Sequence, residues 1–160
     1  MPYAMRIHEH GGPEKMQWEE VQVGDPGPGQ VRVRNTAVGL NYIDTYQRSG
    51  LYPMPLPFTC GSEGAGVVEA VGPKVKEFKA GDRVAYAGPI GAYAEVLLRP
   101  ADRMVKIPAG VDDKVAAAMM LKGMTTQYLI RSTYRVKKGD KIEADYAEAV
   151  VVSVQKPGAK

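Results

Sequence analysis

Apolar and polar residues alternate along most of the first hundred positions, and the texture changes only after Pro108. The clearest run is Gln30 to Gly39, where Val31 and Val33 face one way and Arg32 and Arg34 the other. A period of two predicts a half-buried antiparallel strand. Strands are predicted in the same way over Tyr3 to Glu9 and Met16 to Val23, on either side of the turn signal His10-Gly11-Gly12-Pro13. Four more follow: Ala65 to Val71, Asp82 to Ala87, Ala92 to Leu98 and Arg103 to Ile107. A short helix is predicted from Tyr42 to Arg48, with Gly50 as its stop. Beyond Pro108, Asp112 or Asp113 caps a helix through Val115 to Leu121, and a second helical stretch runs from Met124 to about Arg135. Glu143 to Tyr146 and Ala149 to Val154 read as one or two strands before a polar tail. The fold class is mainly β with a few helices, and short strands between Gly/Pro turns point to a small barrel or sandwich.

Composition narrows this picture without changing it. With 160 residues, 44% apolar and 24% charged, the chain fits one domain, or one domain with an appendage. A net charge of +3, spread over scattered residues, does not argue for nucleic acid. The single cysteine, Cys60, excludes an internal disulfide framework and fits a reducing compartment. No apolar run reaches membrane-spanning length and the N-terminus has no signal-peptide core, so a cytoplasmic location is the expectation. His8 and His10 would share a face on a strand, but nothing completes a metal set, so a solvated edge strand is preferred.

Candidate chemistry concentrates between Val38 and Val68. Asn41, Asp44, Tyr46, Arg48 and Tyr52 follow closely where a strand ends, as polar groups of a small-molecule site do. A half-exposed helix whose tyrosines cover the core is the other reading of the same residues. Glu63 is read as a carboxylate tying down turn amides, and Cys60 as a buried small hydrophobe.

The motifs Gly39-Leu40-Asn41-Tyr42-Ile43-Asp44, Gly61-Ser62-Glu63-Gly64-Ala65-Gly66, Gly81-Asp82-Arg83-Val84 and Gly91-Ala92-Tyr93-Ala94-Glu95 occur in this order. Ala116-Ala117-Ala118-Met119-Met120-Leu121-Lys122-Gly123-Met124-Thr125 completes the set. With them the chain resembles the zinc-independent NADPH:quinone oxidoreductases (zeta-crystallin-like) of the medium-chain dehydrogenase/reductase superfamily. The resemblance implies a co-chaperonin (GroES)-like antiparallel barrel over residues 1–140, followed by a non-family C-terminal segment, 141–160. It implies NADPH as cofactor and a quinone-like small molecule as substrate. Asn41, Asp44, Tyr46 and Tyr52 become the catalytic candidates, and Asn41 and Thr125 the cofactor-binding ones. The zinc-dependent branch has cysteine and histidine ligands where this chain has Asn41 and Ser62, so no metal is expected.

The same family binds NADPH on a Rossmann domain, whose glycine turn would follow Lys137-Lys138-Gly139-Asp140. Here the sequence runs on as Lys141-Ile142-Glu143-Ala144, with no such turn, and Gly61, Gly64 and Gly66 are in the wrong order and lead into a strand. The expectation is therefore a catalytic domain without its cofactor domain and with little or no activity alone. The segment Ile142 to Val154, through the apolar run Val150-Val151-Val152, would add strands back to the barrel. A second function stays open: a binding or self-association module, including a homodimer. It would use the face of Asn41, Tyr46, Tyr52 and the helix around Met119, Met120, Met124 and Tyr128.

Overall fold

The computed structural model describes residues 1–146 and 150–155, and for 142–146 and 150–155 the backbone alone. The predicted polar tail lies outside the described residues. The strands are β1 (Tyr3–Ile7), β2 (Met16–Glu20), β3 (Gln30–Gly39), β4 (Phe58–Thr59), β5 (Glu63–Val71), β6 (Arg83–Ala87), β7 (Val96–Pro100), β8 (Met104–Lys106), β9 (Lys141–Tyr146) and β10 (Val150–Gln155). Two α-helices accompany them, α1 (Tyr42–Ser49) and α2 (Asp113–Tyr128). The chain divides into two compact units, Met1–Leu121 and the residues from Lys122 onward.

In the first unit the longest strand is β3, with 10 residues. It pairs antiparallel with β7 on one side and β5 on the other, in a sheet of order β7-β3-β5-β6-β8. Its predicted alternation is realised: Val31 and Val33 are fully buried and pack with Val68, Val84, Tyr86 and Leu97. On the outer face, Arg32 and Arg34 both hold the carboxylate of Glu69 on β5, at 3.0 and 2.6 Å. A smaller sheet of order β2-β1-β4 buries Ile7 and Phe58 against Cys60. An antiparallel bridge between Ala4 and Ala94 joins that region to the segment before β7. The strands of this unit thus form two antiparallel sheets, which the word barrel slightly overstates, because among the described residues the hydrogen-bond ladder does not close on itself.

Helix α2 begins on the large sheet. Asp113 accepts from Thr36 Oγ1 of β3 at 2.7 Å and from Arg83 Nε of β6 at 3.0 Å. Small residues then allow close approach: Ala116 and Ala117 pack on Ala65 and Ala85, with Ala37 and Met120 at the margin. The two helical stretches predicted around Gly123 are one continuous helix, since an isolated glycine costs only about 1 kcal/mol relative to alanine and need not stop a helix. A five-residue π-helical segment, Leu129–Thr133, follows in the second unit. There β9 and β10 pair antiparallel with each other, from Lys141 opposite Gln155 to Tyr146 opposite Val150.

Two further differences from the predicted elements have local causes. The strand expected from Ala92 starts at Val96, because the amides of Ala92 and Tyr93 turn aside to the carbonyls of Gly61 and Cys60. Strand β4, two residues inside a proline-rich run, carries no pattern of its own and exists through its pairing with β1.

Candidate functional site

The site is assembled where β3 ends, α1 begins and β5 starts. Asn41 is the N-cap of α1, with extended backbone at φ −135° and ψ 151°. The Asp44 carboxylate reaches back to the Asn41 backbone N–H at 2.9 Å, as the third helical residue of a capping box does. Gly50, in the left-handed region at φ +85°, closes the helix.

Asp44 is 4% exposed, and its carboxylate does more than cap. Oδ1 accepts from Ser62 Oγ at 3.0 Å, and Oδ2 accepts from Tyr93 Oη at 2.8 Å. Burial first, and then the bond to Asp44, push the Tyr93 phenol well above the ordinary tyrosine range. Tyr93 therefore stays protonated at neutral pH and donates its hydrogen bond to Asp44. Gly61 makes room for that ring: at φ +94°, any side chain there would run into the Tyr93 ring.

The Asn41 side chain is held by a second carboxylate. Asn41 Nδ2 donates to Glu63 Oε1 at 2.9 Å, and the Leu121 backbone N–H of α2 donates to Glu63 Oε2 at 2.6 Å. Glu63 is fully buried. Its role is thus to fix a side-chain amide and a helix amide, rather than the turn amides expected from the sequence. Because Nδ2 points at Glu63, the orientation of the Asn41 amide is set.

The tyrosines form a separate patch. Tyr46 stacks edge-on to Tyr52 at 5.5 Å between centroids and lies tilted against Tyr42 at 6.3 Å. The Tyr52 N–H donates to the Tyr46 carbonyl at 3.1 Å, which holds the chain leaving α1. Tyr52 is 51% exposed, so the aromatic patch faces outward and does not cover the core. Thr125 belongs to the second unit and is exposed on α2. Of the predicted residues, Asn41 and Asp44 share one hydrogen-bonded network and Tyr46 and Tyr52 one aromatic contact.

Asp44 does not line an open pocket, as the sequence reading expected; it is sealed inside the network. A cavity of about 420 Å³ is lined by Tyr93 together with Met5, Trp18, Val38, Leu40 and Glu95 among others, and includes none of the four catalytic candidates. Tyr93 was missed as a functional residue because its partner is 49 positions away. Its place in the motif Gly91-Ala92-Tyr93-Ala94-Glu95, one of those that carry the family resemblance, was the available signal.

Cys60 is 1% exposed, and burial, with Asp44 adding to it, pushes its thiol up to about 11. It is a packed residue and not a nucleophile. His8 and His10 do not share a face, since β1 ends at Ile7: His8 Nε2 meets Glu19 at 3.0 Å, and His10 lies tilted against Phe58. Among the described residues, no group of three His, Cys, Asp or Glu side chains is close enough to hold a metal ion. No described helix is long and apolar enough to cross a membrane.

Residues 27–109, just over half of the chain, match the family model of the alcohol dehydrogenase GroES-like domain. This chain belongs to that family. The chain is 58% identical over 144 residues to the quinone oxidoreductase of Pseudomonas aeruginosa, covering 89% of this chain and 44% of that protein. A 2-haloacrylate reductase from Burkholderia is 46% identical across 100% of this chain and 50% of its own length. The crystal structure of Escherichia coli quinone oxidoreductase complexed with NADPH superposes with a TM-score of 0.82 at 47% identity, over 86% of this chain and 43% of that one. The chain spans about half the length of the relatives it matches.

Proposed function

We propose that this chain is the substrate-side half of an NADPH-dependent reductase of quinones or similarly activated alkenes, acting in the cytoplasm together with a dinucleotide-binding domain. Residues 1–140 form the GroES-like catalytic part and 141–160 a segment outside it. The reading is carried by Asn41: its side-chain amide is held at 2.9 Å by the buried Glu63, at the position where the zinc-dependent branch has a metal ligand. An oriented amide binds a neutral polar group, and neither Asn41 nor Ser62 is a zinc ligand. Similarity to a quinone oxidoreductase and to a 2-haloacrylate reductase supports quinones and electron-poor double bonds as the substrate class.

When bound, NADPH supplies the hydride. This chain supplies the surface that the nicotinamide and the acceptor meet. Asn41 contacts the nicotinamide–substrate region, and Thr125 lies near the cofactor. Hydride addition to a quinone leaves negative charge on an oxygen, and a Tyr46 or Tyr52 hydroxyl, or a water held by one, stabilises that charge and supplies the proton. Asp44 acts as a positioning residue, because its carboxylate is committed to Asn41, Ser62 and Tyr93. No strong base is required.

Orientation of two reactants is worth several powers of ten in rate, about 10⁵ or more at best. The described residues contain no strand–glycine turn–helix unit to hold a pyrophosphate, so the 160-residue chain alone is expected to bind NADPH weakly and to turn over little quinone. A fluorescence titration with NADPH, followed by a soluble quinone in the same cuvette, tests this. Tight binding with turnover would show that the chain builds a cofactor site by itself. The alternative reading, a self-association module, is supported by exposed side chains of the predicted face such as Tyr52 (51%) and Met119 (50%), and sedimentation velocity distinguishes it by a concentration-dependent dimer.

A further inference from the structure

Arg99 on β7 is 2% exposed, yet it takes no part in the ion pairs formed among the described residues. Its Nη1 donates to the Ile90 carbonyl at 3.3 Å, a long bond, and its guanidinium carbon lies 4.7 Å from the centre of the Tyr86 ring. Nε and Nη2 are buried and have no hydrogen-bond partner. These two nitrogens share one edge of the guanidinium, and their parallel N–H groups match the spacing of two carboxylate oxygens. Burying a charged group with two of its donors unpaired is disfavoured, so this edge gains more from an oxyanion than an exposed arginine would.

Arg99 also lines a cavity of about 400 Å³ with Arg6, Thr59, Val21, Ile90 and Gly91. Arg6 brings a second guanidinium, whose buried Nε also has no hydrogen bond and stands 3.4 Å from Glu19 Oε1. Most of the remaining lining side chains are aliphatic, Gln22 excepted, while polar atoms contribute about as much of the wall as apolar ones. None of these residues belongs to the Asn41–Asp44–Glu63 network.

We propose that this cavity binds a small organic carboxylate, with its two oxygens on Nε and Nη2 of Arg99, its second contact at Arg6, and its apolar body against the aliphatic wall. The cavity walls favour a carboxylate with a hydrocarbon part over inorganic phosphate, which would leave oxygens facing aliphatic groups. Entry requires a small shift of the Ile90–Gly91 turn. That turn is tied to Arg99 by the long Ile90 bond, and Gly91, at φ +120°, lies against the guanidinium: a Cβ there would be in van der Waals contact with Nη2 at 3.9 Å.

The test is a titration of the intact 160-residue chain with benzoate, and separately with inorganic phosphate, at matched ionic strength. The Arg99 Nε–H resonance and the thermal midpoint are both followed. The expected result is a saturable downfield shift of that resonance, and a rise in midpoint with benzoate at lower concentration than with phosphate. Arg99→Met, which keeps an unbranched stem over Tyr86, and Arg99→Lys, which keeps the charge but loses the fork, should each weaken benzoate binding about tenfold or more. If a variant does not fold, the wild-type resonance decides alone. No shift with either anion, or an unchanged midpoint rise in a folded Arg99→Met chain, would overturn the site. Tighter binding of phosphate than of benzoate would overturn the assignment to an organic carboxylate.

Discussion

Replacing Asp44 by asparagine keeps the side-chain volume but removes a carboxylate that accepts from the Asn41 N–H, Ser62 and Tyr93. An amide offers one acceptor oxygen and turns an NH₂ group toward the remaining donors, so at least one buried donor loses its partner. The expected destabilisation is about 2–4 kcal/mol, read as a lower urea midpoint with an unchanged slope. The nearby Cys60 makes a kinetic prediction. With its thiol buried and pushed up to about 11, native chain at pH 8 should react with a disulfide reagent only as fast as it opens, and at the free-thiol rate in denaturant. Fast reaction of the native chain would contradict the packed role. At this scale the residue types of the site were legible in the sequence, as was the inert character of Cys60. The assignments of Asp44 and Glu63 were not, because Glu63 meets Leu121 from 58 positions away and Asp44 meets Tyr93 from 49. A carboxylate in a polar segment reads the same whether it faces a substrate or is buried under a tyrosine.

Among the elements, α2 depends most visibly on one anchor. The Thr36 hydroxyl, and then Arg83, hold the Asp113 carboxyl below its ordinary value. A lowered carboxyl stabilises the fold fully above its unfolded value, and that contribution is lost as the pH falls through the folded value. Stability should therefore fall below about pH 4, and Asp113→Asn should show a shallower fall over the same window. Chemical denaturation between pH 3 and 6 measures both (range chosen about the ordinary carboxylate value). An equal slope in the variant would place the acid sensitivity elsewhere, with Asp82 and Glu69, also lowered by cationic partners, the next groups to substitute. Most elements were legible because alternation and turn residues agree, as they do in β3 and in α1 between Asn41 and Gly50. The exceptions were elements whose existence depends on distant pairing, such as β4, and a helix in which Gly123 reads as a stop but is tolerated.

At the scale of the whole molecule, the GroES-like sheets position a fixed amide, a positioning carboxylate and an aromatic patch at one end of β3. In the function proposed above this end of β3 is one side of a hydride-transfer site, and the chain spans only about half the length of each relative. The most direct measurement joins residues 1–140 of this chain to the remaining length of the Pseudomonas aeruginosa quinone oxidoreductase and follows NADPH oxidation with a soluble quinone. The account predicts quinone-dependent turnover that falls about tenfold or more in Asn41→Ala, and Glu63→Gln lowering kcat with NADPH binding retained. A folded, NADPH-binding fusion that reduces neither quinones nor activated alkenes would contradict it.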